Sequence, residues 1–310
     1  MDSKKNTYQG KYALITGATS GFGYEFSKIF AANGFSLVLV ARSGEKLREV
    51  AADLTQSFMI EVLTIEKDLF KPSAAEEIYA ELRAKDITID VLVNDAGQGE
   101  HGHFLEYDLA RDIDMIQLNI TSLVSLTKLF LRDMVARNEG KILQVASLLG
   151  KYPTPLMSVY AATKAFVLIF TEGLIQELKE TNVTATVLMP GASDTDFFHK
   201  AGGEDSKTYR EEKLSDPAEV AREGFDALMS GESRVVPGFK NKIYAAMTTM
   251  MPDSALAGTM HKKMKPSDAP EGRDEITHGP SREERHRIDR TTGGTDGDYE
   301  SHEDHIHTKE

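Results

Sequence analysis

The chain alternates between short, mainly apolar runs and longer stretches in which apolar residues recur every three or four positions. The short runs are Tyr12–Thr16, Ser36–Ala41, Glu61–Lys67, Ile89–Asn94, Ile142–Ala146, Val183–Met189 and a brief Arg234–Val236. Short apolar runs bounded by turn-forming residues predict strands buried on both faces. Between them, Phe22, Phe26, Ile29 and Phe30 mark a helix stopped by Asn33-Gly34. Further helices are predicted from Gly44 to Gln56, from Pro72, over Asp108–Ala136 as one long helix, and from Ser158. In the last, Val159, Ala162, Phe166, Ile169 and Phe170 share the helical spacing. Asp216-Pro217 reads as an N-cap followed by proline in the first turn. Strands alternating with helices predict an α/β fold, a parallel sheet of about seven strands covered on both faces.

The pattern weakens at both ends. Residues 1–9 are a polar extension and residues 10–240 carry the strand–helix alternation. Within them, about 192–215 are polar and glycine-bearing behind Phe197-Phe198, which predicts a mobile loop over a site. Residues 241–264 are methionine-rich and helical, broken at Pro252. Packing on the core is the expected role of that segment, with a partner subunit or a membrane surface as alternatives. After Met264 there is no Leu, Val, Phe or Met, and residues 265–310 hold 7 basic and 13 acidic side chains. Such a stretch cannot build a core and predicts an acidic, histidine-containing disordered tail.

Charge and composition narrow the partners. A net charge of −13 gives no global electrostatic support to nucleic-acid binding. With no cysteine there is no disulfide, thiolate nucleophile or cysteine-ligated zinc, which fits a reducing, cytoplasmic setting. The polar N-terminus is no signal peptide, and no stretch is expected to span a membrane. His101 and His103 share a loop but lack an evident third ligand, so no metal site is expected.

Candidate chemistry sits where strands end. Thr16-Gly17-Ala-Thr19-Ser20-Gly21-Phe22-Gly23 joins the first strand to the first helix. Such a turn lets the backbone approach a pyrophosphate while the helix N-terminus favours its charge, the start of a dinucleotide-binding βαβ unit. At the end of the second strand, where NAD sites place an acid, stands Arg42. A guanidinium suits a ribose 2′-phosphate, so NADP(H) is expected, with NAD(H) as the alternative. Asp68 and Leu69 follow the third strand and are assigned to the same cofactor cleft. Ser147 follows the fifth strand, 13 residues ahead of Tyr160, and Lys164 lies one helical turn beyond. An ammonium beside a phenol favours the phenolate, and a serine hydroxyl can bond both phenol and substrate oxygen. The grouping points to proton transfer.

Together these stretches resemble the short-chain dehydrogenase/reductase family over roughly residues 10–240. Thr16–Gly23 is similar to its cofactor motif, Asn94-Asp95-Ala96-Gly97 to its Asn-Asn-Ala-Gly motif, and Asn119, Ser147, Tyr160 and Lys164 to its catalytic tetrad. Pro190-Gly191 with Thr195 resembles the segment that holds the nicotinamide. The resemblance implies a Rossmann-type doubly wound sheet and hydride transfer between nicotinamide and a carbonyl or alcohol. Tyr160 would be the acid–base, Lys164 would hold the ribose, Ser147 would orient the substrate and Asn119 would hold a relay water. Ketone or 3-oxoacyl reduction is the expected direction, and a homo-oligomer, dimer or tetramer, the expected assembly. An NAD(H)-dependent alcohol dehydrogenase and a non-catalytic dinucleotide sensor are the alternatives. Leu149, Tyr152, Met157 and Phe198 are candidate contacts to a partly apolar substrate. Asp95 departs from the family's asparagine and loses a donor, so an adjusted local network is expected there.

Overall fold

The computed structural model describes residues 8–267. Of the tail expected to be disordered over 265–310, residues 265–267 are ordered against Asp205–Lys207, and residues 268–310, with most of the N-terminal extension, lie outside the described residues. Seven parallel strands form one sheet in the order β3-β2-β1-β4-β5-β6-β7. They are β1 (Tyr12–Thr16), β2 (Ser36–Ala41), β3 (Val62–Glu66), β4 (Ile89–Asn94), β5 (Gly140–Val145), β6 (Val183–Leu188) and β7 (Arg234–Val235). The central strands are buried residue after residue, as both faces of a parallel sheet require. The order reverses between β1 and β4, which opens a crevice at the carboxyl ends of those two strands.

Helices cover each face. On one side α1 (Gly21–Ala32), α2 (Gly44–Phe58) and α9 (Pro217–Ser230) pack through Phe26, Phe30, Leu47, Leu54 and Phe225. Phe30 meets Phe35 and Phe225 edge-on at 5.0 and 4.9 Å between ring centres. On the other side α3 (Ala74–Ala84), α5 (Leu123–Ala136) and α6 (Ser158–Glu177) cover the sheet, burying Ile78, Leu82, Leu126, Phe130 and, just past the end of α6, Leu178. The third helix starts at Ala74, two residues after Pro72, because Pro72 and Ser73 form a turn. By length and composition α6 qualifies as a membrane span, against the expectation that no stretch does. In the fold it lies against β5 and β6 and buries Val167, Leu168 and Thr171.

The expected long helix over Asp108–Ala136 is three segments in line. They are α4 (Leu109–Ile116), a π-helical turn (Gln117–Ser122) and α5. The wide turn carries Asn119, and such turns recur at functional sites. The stretch expected to be a mobile loop contains two short helices, α7 (Phe197–Ala201) and α8 (Lys207–Glu211). Local bonds explain them: Ser206 caps α8 by accepting from the Tyr209 amide, and the His101 amide donates to the Ala201 carbonyl at 2.9 Å. His101 is thus an anchor, its Nε2 also 2.7 Å from the Met264 carbonyl oxygen. The methionine-rich segment forms α10 (Phe239–Thr248) and α11 (Asp253–Met264), with Pro252 at the start of α11.

Candidate active site

The turn after β1 is built from backbone. Gly17 and Gly21 adopt φ of +71° and +54°, which side chains strain to follow. At Gly23 a Cβ would stand 2.4 Å from the Gly17 carbonyl oxygen, so only glycine closes the turn. Ser20 precedes α1 without capping it, and the first turn of α1 has no acidic residue. The Gly23 amide is taken by Asp95, the earlier amides of the turn are left to an anion, and the cradle fits a pyrophosphate. Thr195 stands beside Gly21, whose added Cβ would lie 3.4 Å from the threonine methyl. Thr19 and Phe22 belong to the same turn.

Thr16 ties this turn to the end of β4. Its Oγ1 accepts from the amides of Asp95 and Ala96, each at 3.0 Å. Asp95 tucks its carboxylate under the glycine turn and accepts a hydrogen bond from the Gly23 amide. The adjusted network expected at this position is therefore a carboxylate bonded to backbone. Burial pushes the Asp95 carboxyl up to about 7, while Lys164 and the Gly23 amide pull it down. Asn94, assigned to the cofactor cleft, instead donates from Nδ2 to Thr127 Oγ1 and Gln144 Oε1, at 3.1 and 3.0 Å. Its side chain ties β4 to β5 and α5, because alternation along the strand turns it into the core.

Ser147 follows β5 after one residue, Ala146, and its Oγ accepts from the Leu149 amide at 3.1 Å. The same hydroxyl is hydrogen-bonded to the Tyr160 phenol. Tyr160 and Lys164, one turn apart on α6, are 7% and 5% exposed. The Lys164 ammonium donates to the Val145 carbonyl at 2.8 Å and lies 5.8 Å from the centre of the Tyr160 ring. Burial lowers the lysine to about 8, with Asp95 holding it up. The expected lowering of the tyrosine by Lys164 is corrected here. Burial pushes the phenol well above its ordinary value, and Ser147 is the group that pulls it down. A phenol held protonated is a proton donor.

Asn119 reaches the site through the π-turn. Its Oδ1 accepts from the Gln98 amide at 2.9 Å, and its Nδ2 donates to the Gln98 carbonyl at 2.8 Å and to Thr163 Oγ1 at 3.0 Å. Thr163 in turn donates to the Tyr160 carbonyl at 2.7 Å. A Cβ on Gly97 would stand 3.2 Å from Lys164 Nζ and 3.3 Å from Asn119 Oδ1, so that glycine keeps the centre open. Pro190 accepts from the Leu148 amide at 2.9 Å, joining β6's end to the Ser147 turn. Gly191 lies against Asn241.

The apolar wall differs from expectation in one residue. Phe197, not Phe198, faces Tyr160, with ring centres 4.9 Å apart. Phe198 is buried behind it against Tyr209, because consecutive residues at the start of α7 point about 100° apart. Tyr152, Met157 and Leu149 join the same apolar cluster as Tyr160, together with Leu256 and Met260 of α11. Toward the other arm of the cleft, Arg42 is exposed and lies 5.0 Å over the Phe70 ring, and Asp68 accepts from the Phe70 amide. Leu69 is buried. Sequence reasoning missed Thr16 and Thr163 as clamps, and Lys200 of α7, which donates to Ser20 Oγ at 3.3 Å beside the glycine turn. Nothing in the pattern around Lys200 marks it.

A model of the short chain dehydrogenase family matches residues 11–205. The chain belongs to the short-chain dehydrogenase family. Among curated relatives, the very-long-chain 3-oxoacyl-CoA reductase of Anas platyrhynchos is 38% identical over 187 residues, covering 58% of this chain and 59% of the relative. The chain thus spans well under two thirds of the length of the curated relatives it matches. Among solved structures, a short-chain dehydrogenase from Sphingobium yanoikuyae in complex with NADPH is 28% identical, with a TM-score of 0.71 over 86% of this chain and 99% of that one. A serine dehydrogenase complexed with NADP+ is 30% identical, with a TM-score of 0.65 over 73% of this chain and 93% of that one. The matched residues 11–205 include the glycine turn, Asn119, Ser147, Tyr160 and Lys164.

Proposed function

We propose that the chain is an NADP(H)-dependent reductase of a partly apolar ketone or 3-oxoacyl carbonyl. The observation that carries this reading is the convergence of Ser147, Tyr160, Lys164 and Asn119 beside the glycine turn. The relatives named as 3-oxoacyl-CoA reductases support the acyl class, and the solved neighbours holding NADPH or NADP+ support the cofactor. The chain works as a homo-oligomer. Leu109 and Ile113 on α4 and Ile169 on α6 expose large apolar side chains that a second copy would cover.

When bound, the nicotinamide supplies the hydride, and the protein supplies position and electrostatics. Gly17, Gly21 and Gly23 with the α1 amides would hold the pyrophosphate, and Arg42 the 2′-phosphate. Ser147 orients the carbonyl oxygen toward the phenol. The Tyr160 hydroxyl, kept protonated by burial, delivers its proton to that oxygen. Lys164, fixed by the Val145 carbonyl, places a cation beside the phenolate this leaves. Asn119 locks the Gln98 loop and Thr163, and so the pitch of α6 at Tyr160.

The test is a panel of 3-oxoacyl thioesters and bulky ketones assayed with NADPH and NADH. NADPH turnover on at least one is expected, with Arg42→Ala weakening NADPH binding about 10–100-fold and NADH binding little. A wild type that binds NADH more tightly would reject the cofactor assignment. Equal losses for both cofactors would make Arg42 a support of the loop.

A further inference from the structure

We propose that the outward face of α10 docks the protein onto an anionic lipid surface. Three large apolar side chains recur there at helical spacing: Phe239, Ile243 and Met247, 77%, 45% and 63% exposed. At about 100° per residue they fall within a stripe of about 80°. Lys240 borders the stripe on one side and Lys242 on the other. Met250, 88% exposed, extends it past the helix end. The opposite face buries Ala245 and Thr248 and is fastened by Lys151, which donates to the Ala245 carbonyl at 2.7 Å. The helix is therefore held to the protein with its apolar stripe pointing away.

Charge selects the occupant. Helix α10 carries Lys240 and Lys242 and no acidic residue in a chain of net charge −13. Lys242 pairs with Glu223 at 3.3 Å yet keeps a 55% exposed side chain. A second copy meeting this face about a two-fold axis would bring these lysines against one another. Acidic headgroups would instead neutralise them while the acyl boundary takes the stripe. Flexible methionines suit such an irregular surface. An acidic body with one basic, apolar helix would also meet the bilayer in one orientation. The inner face of α10 bears Tyr244, which meets Tyr152 edge-on at 5.9 Å and joins the apolar cluster of Tyr160. If the proposed reductase function holds, an apolar substrate would leave the lipid next to the site. The docking itself does not depend on that reading.

The experiment is vesicle flotation of the full chain with phosphatidylcholine alone and with about one third phosphatidylglycerol. Two surface lysines predict at least about ten-fold tighter binding to the acidic vesicles. Ile243→Glu/Met247→Glu should abolish flotation while leaving the melting temperature and NADPH affinity unchanged. The chain has no tryptophan, so Met247→Trp gives a single reporter. Brominated lipid should quench it strongly, and a control Ile169→Trp on α6 little. A wild type that ignores acidic vesicles overturns the proposal, as does a double variant that floats like wild type. Equal quenching at both positions would also overturn it. So would a double variant that only changes oligomeric state, which would make the face a contact between copies.

Discussion

Helices α6 and α10 are both rich in apolar residues, yet α6 buries Tyr160, Val167 and Leu168 and exposes Phe166 and Ile169, while α10 turns its largest, Phe239, Ile243 and Met247, to solvent. Helix α6 is apolar enough to cross a membrane, but β5, β6, α4 and the Ser147 turn pack around it. Its only buried charge, Lys164, is held by a carbonyl. Among the described residues, helix α10 is packed on one side, through Ala245 and Thr248. Hydrophobicity measures how much a helix gains by being covered, and the number of neighbouring elements decides whether the fold does the covering.

The largest break in the comparison should come from chemistry. Tyr160→Phe on α6 should lower kcat about 10²–10⁴-fold with folding intact, while Ile243→Glu on α10 should leave turnover of a water-soluble carbonyl unchanged. Retention of most activity by the phenylalanine variant would remove Tyr160 as the acid. Packing should separate the helices next. Val167, fully buried on α6, should lose about 1–3 kcal/mol on Val167→Ala. Met247→Ala should stay within about 0.5 kcal/mol. Urea titrations of both variants measure this, and equal losses would mean that α10 is covered in the folded protein.

The smallest effect concerns the charge behind α6. Asp95 binds its proton up to about pH 7 in the folded chain, against an ordinary value of 3.8. The folded state therefore holds the proton longer than the unfolded one, and stability falls as pH rises from the ordinary value through 7. Asp95→Asn removes that fall. Its melting temperature should exceed wild type by several degrees at pH 8 and by less at pH 5, at about 2–4 °C per kcal/mol. Without the carboxylate, Lys164 should titrate below about 8, and the basic limb of the kcat profile should move to lower pH. A variant with wild-type pH behaviour in both measurements would uncouple Asp95 from Lys164.

Much of the frame was legible because buried parallel strands are unbroken apolar runs. The glycine turn and the Tyr160–Lys164 spacing are local features that survive without tertiary knowledge. What was not legible depends on contacts distant in sequence. A helix-period pattern cannot distinguish a π-turn from continuous α-helix around Asn119, since a single wide turn barely shifts the spacing. The choice between Phe197 and Phe198 rests on how α7 lands against α6. The inward bonding of Asn94 requires Gln144, 50 positions away. The apolar stripe of α10 could be read from its spacing, but not the side it faces.

The reversal of strand order between β1 and β4 also bears on how the protein assembles. Tyr12 pairs with Ile89, and Thr16 reaches amides 79 and 80 positions along the chain. The halves of the crevice are therefore made far apart in time as well as in sequence, and no local fragment prefigures it. Loops of this length close late and slowly during folding. The nucleotide cradle becomes competent only when the middle of the sheet has closed, so recovery of nucleotide binding after dilution from denaturant should follow the slowest phase of refolding. A growing chain would not form the cradle before β4 has been made, nor the proton-transfer group before Lys164 has followed it.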